Sequence, residues 1–511
     1  MKSEESTRAS QPSGEHAARK QQWAQALVML ALFSAPGVMC AHFAIIADPD
    51  IWWHLRTAQW ILQHGGVPRT EPFSALGVGK PWAAYSWLFE LIVFQLFTHL
   101  GLVGIVAYTA AMTSAITMAL YRMIQRLHTD FTTAALLTLA GIFCMVDLWK
   151  PRPWMFTILL FVVELDILMH ARKTGKTREL YWLPLLFVLW ANLHIQFVIG
   201  LLVLGIAVGE ALLGKYWDRS QSRIELNRLG GLFIACLLAT LANPYGLGIY
   251  RVVSEYATQQ GVFNLVSECL AMSFRSPQDY GVLLLALSAA CVVARSRRVE
   301  VFEIVLLGYA VFASFRSLRD VWIVVVVGCA ILASELKGRD ENRLLLTSRL
   351  VPLVGIAAAL VVFLGFHFPR LDNETLQANL EAKMPVRAAE FVRDRRLNGP
   401  LFNDFNWGGY LIWEPGLPVS MDGRTNLYGD ERINQSVATW AGSPHWASNP
   451  ELLKANLVIA PVGAPLTQLL RLSPRFDLAF EDKVAVVFVP HGSAAQLTGT
   501  HPDAPMTPAG K

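Results

Sequence analysis

Two carboxylates separated by one proline, Asp48-Pro49-Asp50, follow directly on the first long apolar stretch, residues 23–46. A carboxylate is costly in hydrocarbon, so beside a membrane span it belongs at the interface or in a polar cavity. There it can take a proton from an attacking hydroxyl group. It can also cap the helix that begins near Ile51, since Asp is a favoured N-cap, and Asp-x-Asp is a weak metal pattern. Asp50 is the first catalytic candidate and Asp48 the second. The residues from Ile51 to His64 are aromatic and amphipathic, as expected of a helix lying in the interface plane. Trp52 and Trp53 read foremost as interface anchors. His54 and Arg56 lie within about a turn of Asp50 and are candidate substrate-binding groups. Arg56 can equally meet the acid or lipid headgroups.

The elements that position these residues follow from composition. The chain has 511 residues, 54% hydrophobic and 16% charged, with mean hydropathy +0.39. A soluble domain carries about 25% charge. Several stretches run about 17–20 residues with almost no charge, enough to cross a bilayer core. The expected fold is an all-α polytopic membrane bundle with a small C-terminal α/β domain. Net charge is only +4, and the basic residues cluster between apolar runs, which fits topology better than nucleic-acid binding. The six cysteines lie mostly inside apolar runs and suggest neither a zinc site nor a disulfide framework. The first apolar segment has no clear cleavage site and reads as a retained helix.

Length and apolarity predict about eleven spans: 23–46, 101–120, 131–147, 154–170, 180–190, 195–213, 229–242, 280–293, 301–315, 321–336 and 350–367. The segment 85–100 is ambiguous. If it does not cross, nearly every strongly basic loop falls on the side of the N-terminus, so it is expected to be a second interfacial or re-entrant helix. The outer face then holds the loop 47–101, the turns 150–153, 192–194 and 316–320, the loop 243–279 and the C-terminus. The domain reading is a disordered cytoplasmic N-terminus 1–22, a transmembrane domain 23–367, a periplasmic α/β domain 368–491 and a disordered tail 492–511. In the α/β part, 385–396 has helical periodicity, and 418–421 and 484–490 look like strands.

The outer elements carry oddly placed polar groups. Lys150-Pro151-Arg152-Pro153 and the turn with Arg316 and Arg319 hold cations on the face that the charge rule leaves poor in them. His194, between two spans, lines a cavity or satisfies backbone at a tight turn. The C-terminal cluster Asn403-Asp404-Phe405-Asn406-Trp407-Gly408-Gly409-Tyr410 and Met421-Asp422-Gly423-Arg424 suits either a sugar-binding surface or tight turns. Trp407, Asp422 and Arg424 are its residues to watch. Glu164 and Asp166, inside the fourth span, have no assigned role.

From Asp48 to about Arg122 the sequence resembles the GT-C superfamily of integral-membrane glycosyltransferases, in the bacterial branch related to protein mannosyltransferases and aminoarabinose transferases. Asp50, Gly65, Lys80 and Pro81 match that pattern in order: acid, interfacial helix, glycine, Lys-Pro step, second interfacial helix. The resemblance implies a bacterial inner-membrane enzyme with a cytoplasmic N-terminus and a periplasmic C-terminal domain. It would transfer a sugar from a polyprenyl-phosphate donor to a lipid, glycan or protein acceptor on the periplasmic face. It implies Asp50 as general base or metal ligand, and cations at the leaving phosphate, for which Lys80, Lys150, Arg152, Arg316 and Arg319 are the candidates. Membrane lipids are expected partners and nucleic acid is not. The cofactor stays open, with a divalent metal weakly supported. The alternatives are an O-antigen polymerase or ligase-like protein, which would not need an acid after the first span, and a transporter or non-catalytic scaffold, for which internal repeats are missing.

Overall fold

The computed structural model describes residues 23–34, 36–37, 48–75, 77–128, 130–217, 224–261, 263, 266–296, 300–336 and 371–493. The expected span 350–367 and the segments 1–22 and 494–511 lie outside them. The described residues form two compact units. One gathers residues from 1–45, 105–246 and 267–371, the other from 46–104, 247–266 and 372–511. The expected division at 367/368 therefore fails in one respect: the C-terminal residues share a unit with the first loop.

The first unit is helical. Among the described residues, Leu102–Leu127, Trp154–Thr174, Phe197–Gly214 and Pro277–Arg295 are long and apolar enough to cross a membrane. Five other expected spans are helices near the predicted places, each of 16 residues or fewer: Phe131–Cys144, Leu183–Leu193, Leu226–Ala239, Val301–Arg316 and Val321–Glu335. A helix of 14 residues reaches about 21 Å, short of a core about 30 Å thick. Val321–Glu335 is the most enclosed of them. It is buried from Val321 to Ala333, and a helix apolar all round belongs inside a bundle.

Ion pairs and backbone hydrogen bonds tie the helix connections of this unit together. At one end Arg126 donates to Asp166 at 2.9 Å and to Glu179 at 2.8 Å. There too Arg172 bridges Glu210 and Glu300 at 2.6 and 2.8 Å. Asp166, left without a role by the sequence, is thus an ion-pair partner of a basic loop. The turns predicted for the opposite face are stitched to one another. Leu318 N–H donates to Leu270 O at 2.9 Å and Met272 N–H to Phe315 O at 3.0 Å. Gln196 Nε2 donates to Asp320 Oδ1 at 2.7 Å.

The second unit combines the first-loop helices Ile51–His64 and Trp87–Leu100 with a four-stranded sheet. The strands are β1 (Leu401–Asn403), β2 (Leu457–Pro461), β3 (Phe476–Glu481) and β4 (Ala485–Pro490). Their order is β1-β2-β4-β3. β1 runs parallel to β2, while β4 pairs antiparallel with both β2 and β3. The central strands β2 and β4 are apolar and buried along their length, whereas edge strand β3 is half-exposed. Phe402, Trp440, Val458, Leu466, Leu470 and Phe488 belong to the core of this part, and Phe402 stacks on Trp440 at 5.3 Å. The helix expected over 385–396 is Val386–Asp394, and the strand expected over 484–490 is β4. The strand expected over 418–421 does not form. Val419 makes an isolated parallel bridge to Ser74 instead, because that segment pairs with the first loop.

Candidate functional site

The helix Ile51–His64 begins at Asp50 and ends at Gly65, whose φ of 67° is the left-handed close that glycine adopts without strain. Asp50 stands at the N-cap, yet its side chain makes no capping hydrogen bond, so capping does not account for this acid. Its backbone N–H donates to Asp48 Oδ1 at 2.9 Å. Asp48 and Asp50 are both buried, at 3% and 9% exposure.

Two chain crossings hold this acid pair. A Cβ added to Gly423 would lie 1.8 Å from Asp50 Oδ1, and one added to Gly409 would lie 2.3 Å from Pro49 O. Only glycine permits these approaches. The C-terminal cluster thus closes over Asp48-Pro49-Asp50 through its side-chain-free positions.

Its charged residues serve the closure. Arg424 Nε and Nη2 donate to Asp422 at 2.8 and 2.6 Å, and Nη1 donates to Glu71 Oε1 at 2.5 Å. Tyr428 O–H donates to Asp422 at 2.6 Å. The guanidinium lies over Trp82, Phe73 and Trp53 at 5.0, 5.4 and 5.9 Å from their ring centres. Glu71 also accepts from Phe73 N–H and from the Ser74 N–H and hydroxyl, at 2.8–2.9 Å. Burial opposes ionisation of Asp422, but Arg424 and Tyr428 hold its carboxyl below the usual range. Asp422 and Arg424, expected to bind substrate, are buried at 0% and 1% exposure and spend their hydrogen bonds on each other and on the first loop. Trp407, the third member of that expectation, is buried in a short 3-10 turn, Phe405–Trp407.

His54 Nδ1 lies 3.1 Å from Glu90 Oε1, both nearly inaccessible. Burial, tempered by Arg424, pushes the Glu90 carboxyl well up. The pair locks Ile51–His64 to Trp87–Leu100. Arg56 donates to Gln59 at 2.6 Å. Lys80 is exposed, at the end of the turn 77–80, where its carbonyl accepts Glu71 N–H at 3.0 Å.

The remaining candidates belong to the first unit. Arg152 is buried, 5.3 Å from the Trp154 ring centre. Lys150 and Arg319 are half-buried and Arg316 is exposed. Lys150, Arg152 and Arg319 converge on Glu268, a residue the sequence reading passed over. Burial opposes ionisation of Glu268, but Arg152, Arg319 and Lys150 hold its carboxyl below the ordinary value. His194 Nδ1 lies 2.8 Å from the Thr157 hydroxyl oxygen, which accepts Trp190 Nε1–H at 2.8 Å. Burial and Arg319 push the imidazole down to about 3, so His194 is neutral.

Sequence reading missed Glu71, Glu90 and Glu268. Glu90 had a signal, a lone carboxylate in the apolar run WLFELIVFQLF. Among the described residues no group of three or more His, Cys, Asp and Glu is placed to hold a metal ion.

No protein-family model matches the chain, and no curated protein matches it. Solved structures do. The aminoarabinose transferase ArnT from Cupriavidus metallidurans, bound to undecaprenyl phosphate, aligns over 91% of this chain and 98% of its own at 14% identity, with a TM-score of 0.51. Its apo form aligns over the same shares at 15% identity and a TM-score of 0.50. The apo oligosaccharyltransferase of Archaeoglobus fulgidus aligns over 87% of this chain and 70% of its own at 11% identity, with a TM-score of 0.52. The fold is GT-C. At these identities the likeness is one of architecture, and chemistry within the GT-C fold has to be argued from the residues above.

Proposed function

We propose that the chain is a membrane glycosyltransferase that moves a sugar from a polyprenyl-phosphate donor to an acceptor hydroxyl, with Asp50 as general base. The observation that carries this is Asp50 itself. It is a buried carboxylate at the start of the first-loop helix, not used as a cap, and held by a chain crossing that only glycine allows. The ArnT structure with undecaprenyl phosphate supports the donor class.

In the reaction Asp50 accepts the acceptor's hydroxyl proton as its oxygen bonds to the anomeric carbon. The bond from that carbon to the phosphate oxygen breaks, and its electron pair leaves on the lipid phosphate. That charge needs cations, for which Lys150, Arg152 and Arg319 are the first candidates by residue type. Arg316 and Lys80 are the peripheral candidates. Asp48 positions Asp50 through its hydrogen bond to the Asp50 N–H. The second unit, with the C-terminal sheet, is assigned to the extracytoplasmic side and the N-terminus to the cytoplasm. A cytoplasm-active reporter fused after Val489 is expected to be silent, and a strong signal would reverse the orientation.

Asp50→Asn is the decisive variant. It is isosteric, so the closure by Gly423 survives. Purified into membranes with a polyprenyl-phosphate sugar and acceptor extract, it is expected to insert and melt normally and to show no transfer. Wild-type turnover by this variant would remove the catalytic assignment.

A further inference from the structure

The second unit carries a groove that the acid pair and the ion cluster do not fill. Its volume is ≈ 450 Å³, and Trp52, Phe97, Tyr410 and Trp413 line it together with Glu374 and Gln377. The aromatic rings brace one another. Trp52 meets Tyr410 edge-on at 5.2 Å, and Trp413 meets Phe97 edge-on at 5.6 Å. Its frame is fixed by backbone contacts. Asn373 Nδ2 donates to Leu100 O at 3.0 Å, and Asn373 Oδ1 accepts Val103 N–H at 3.1 Å. Between them Gly101, at φ 65°, leaves no room for a Cβ, which would fall 2.6 Å from Asn373 Oδ1.

We infer that this groove binds a saccharide unit of the acceptor. Sugar rings present C–H faces that pack on aromatic rings and hydroxyls that need paired donors and acceptors. The groove offers both: four rings, a carboxylate and a carboxamide. An acyl chain would cover the rings but give the Glu374 carboxylate and the Gln377 carboxamide nothing to bond. The chain places the groove beside the acid pair. Trp52 is two residues from Asp50 on one helix, and Tyr410 follows Gly409, the residue pressed against Pro49 O. Calling the saccharide an acceptor rests on the transferase reading. The binding itself does not.

The test is therefore binding without turnover. Full-length protein, in a detergent whose head group is not a sugar, is titrated with chitotriose and with maltotriose, read by saturation-transfer NMR. At least one is expected to bind saturably to the wild type and equally to Asp50→Asn. Trp413→Ala should weaken it by about tenfold, as expected for the loss of a ring contact. Trp413→Phe, which keeps a ring, should restore most of the affinity, and Glu374→Gln should weaken it about threefold with an unchanged melting temperature. Absence of saturable binding by both sugars overturns the proposal. So does unchanged affinity in Trp413→Ala, or displacement of the sugar by hexanol with no response to Glu374→Gln. If Asp50→Asn keeps transfer while the groove binds sugar, the base assignment fails and the groove stands. If Asp50→Asn loses transfer and no sugar binds, only the groove fails.

Discussion

Two charged clusters in this molecule use the same side-chain types to opposite ends. Around Arg424 the arithmetic closes on the side of the acids. One guanidinium faces Asp422 and Glu71, both carboxylates also take other donors, and the residues are inaccessible to solvent. Around Glu268 cations outnumber acids: Lys150, Arg152 and Arg319 bear on Glu268, and Arg319 bears also on Asp320. A cluster whose charges are satisfied internally holds chain segments together. A cluster with surplus positive charge at helix-connecting turns suits an anion such as a lipid phosphate. Residue type alone gives no such distinction, which is why the sequence put Arg424 and Arg319 in one class of ligand-binding arginines.

The largest effect is expected from opening the first cluster. Arg424→Ala would strand Asp422 and Glu71 as buried carboxylates, and breaking a buried pair this way costs about 3–5 kcal/mol. Arg424→Lys should fail almost as badly, since a lysine cannot donate to Asp422 twice and Glu71 once in this fork. Thermal unfolding and limited proteolysis of the C-terminal segment read both. If Arg424→Ala melts like the wild type but loses substrate affinity, the cluster is a ligand site and the contrast collapses.

Next comes the crossing at Gly423. Gly423→Ala puts a methyl group where Asp50 Oδ1 now sits, at 1.8 Å, so the carboxylate has to move. Overpacking of this kind costs about 1–3 kcal/mol in stability. A misplaced base should lower kcat by about a hundredfold, comparable to losing general-base help, with KM little changed. Gly66→Ala, where no atom stands within 4 Å, is the control and should be silent. A Gly423→Ala enzyme with full kcat would mean that Asp50 has slack or no role.

These contacts also mark how far the sequence could be read. The acid before the first-loop helix and the glycine that closes it were local signals, and the structure has that helix over Ile51–His64 between Asp50 and Gly65. The partners were not local. Glu71 and Arg424 are 353 positions apart, and nothing around Glu71-Pro72 announces a buried ion pair. Gly423 reads as a turn glycine until Asp50 is found against it. The expected strand at 418–421 failed for the same reason, since its backbone pairs with Ser74 and Ala75 in the first loop. Helix bounds were local too, and Val321–Glu335 ends within one residue of the expected 321–336.

Smaller effects should come from the cationic cluster. Arg319→Gln and Arg152→Gln each remove a charge-assisted contact worth about 1.5–3 kcal/mol, so the donor KM should rise about tenfold or more. Arg316, exposed at the end of its helix, should give a lesser rise when changed to Gln, in keeping with an exposed ion contact of about 0.2–1 kcal/mol. All three measurements use a short-chain donor in detergent, where ordinary membrane lipid cannot mask the effect. Unchanged kinetics for Arg152→Gln and Arg319→Gln would retire the phosphate role of these turns.

The subtlest change has the opposite sign and is the sharpest test of the contrast. Glu268 sits among Lys150, Arg152 and Arg319 as the one carboxylate that bears on all three, and their pull keeps it ionised. An arriving phosphate must share those cations with it. Glu268→Gln keeps the shape and removes the competing charge, so the donor KM should fall by about threefold to tenfold, corresponding to roughly 1 kcal/mol for a partly exposed charge pair. The shift should shrink as salt is raised, because the repulsion it relieves is screened. The matching change in the other cluster, Glu71→Gln, should instead destabilise the fold and leave donor affinity alone, since Arg424 would lose a buried partner and no anion gains one. A rise in donor KM with Glu268→Gln would mean that the carboxylate orders the cations. The first unit would then resemble the second, a framework of mutually satisfied charges with its ligand site elsewhere.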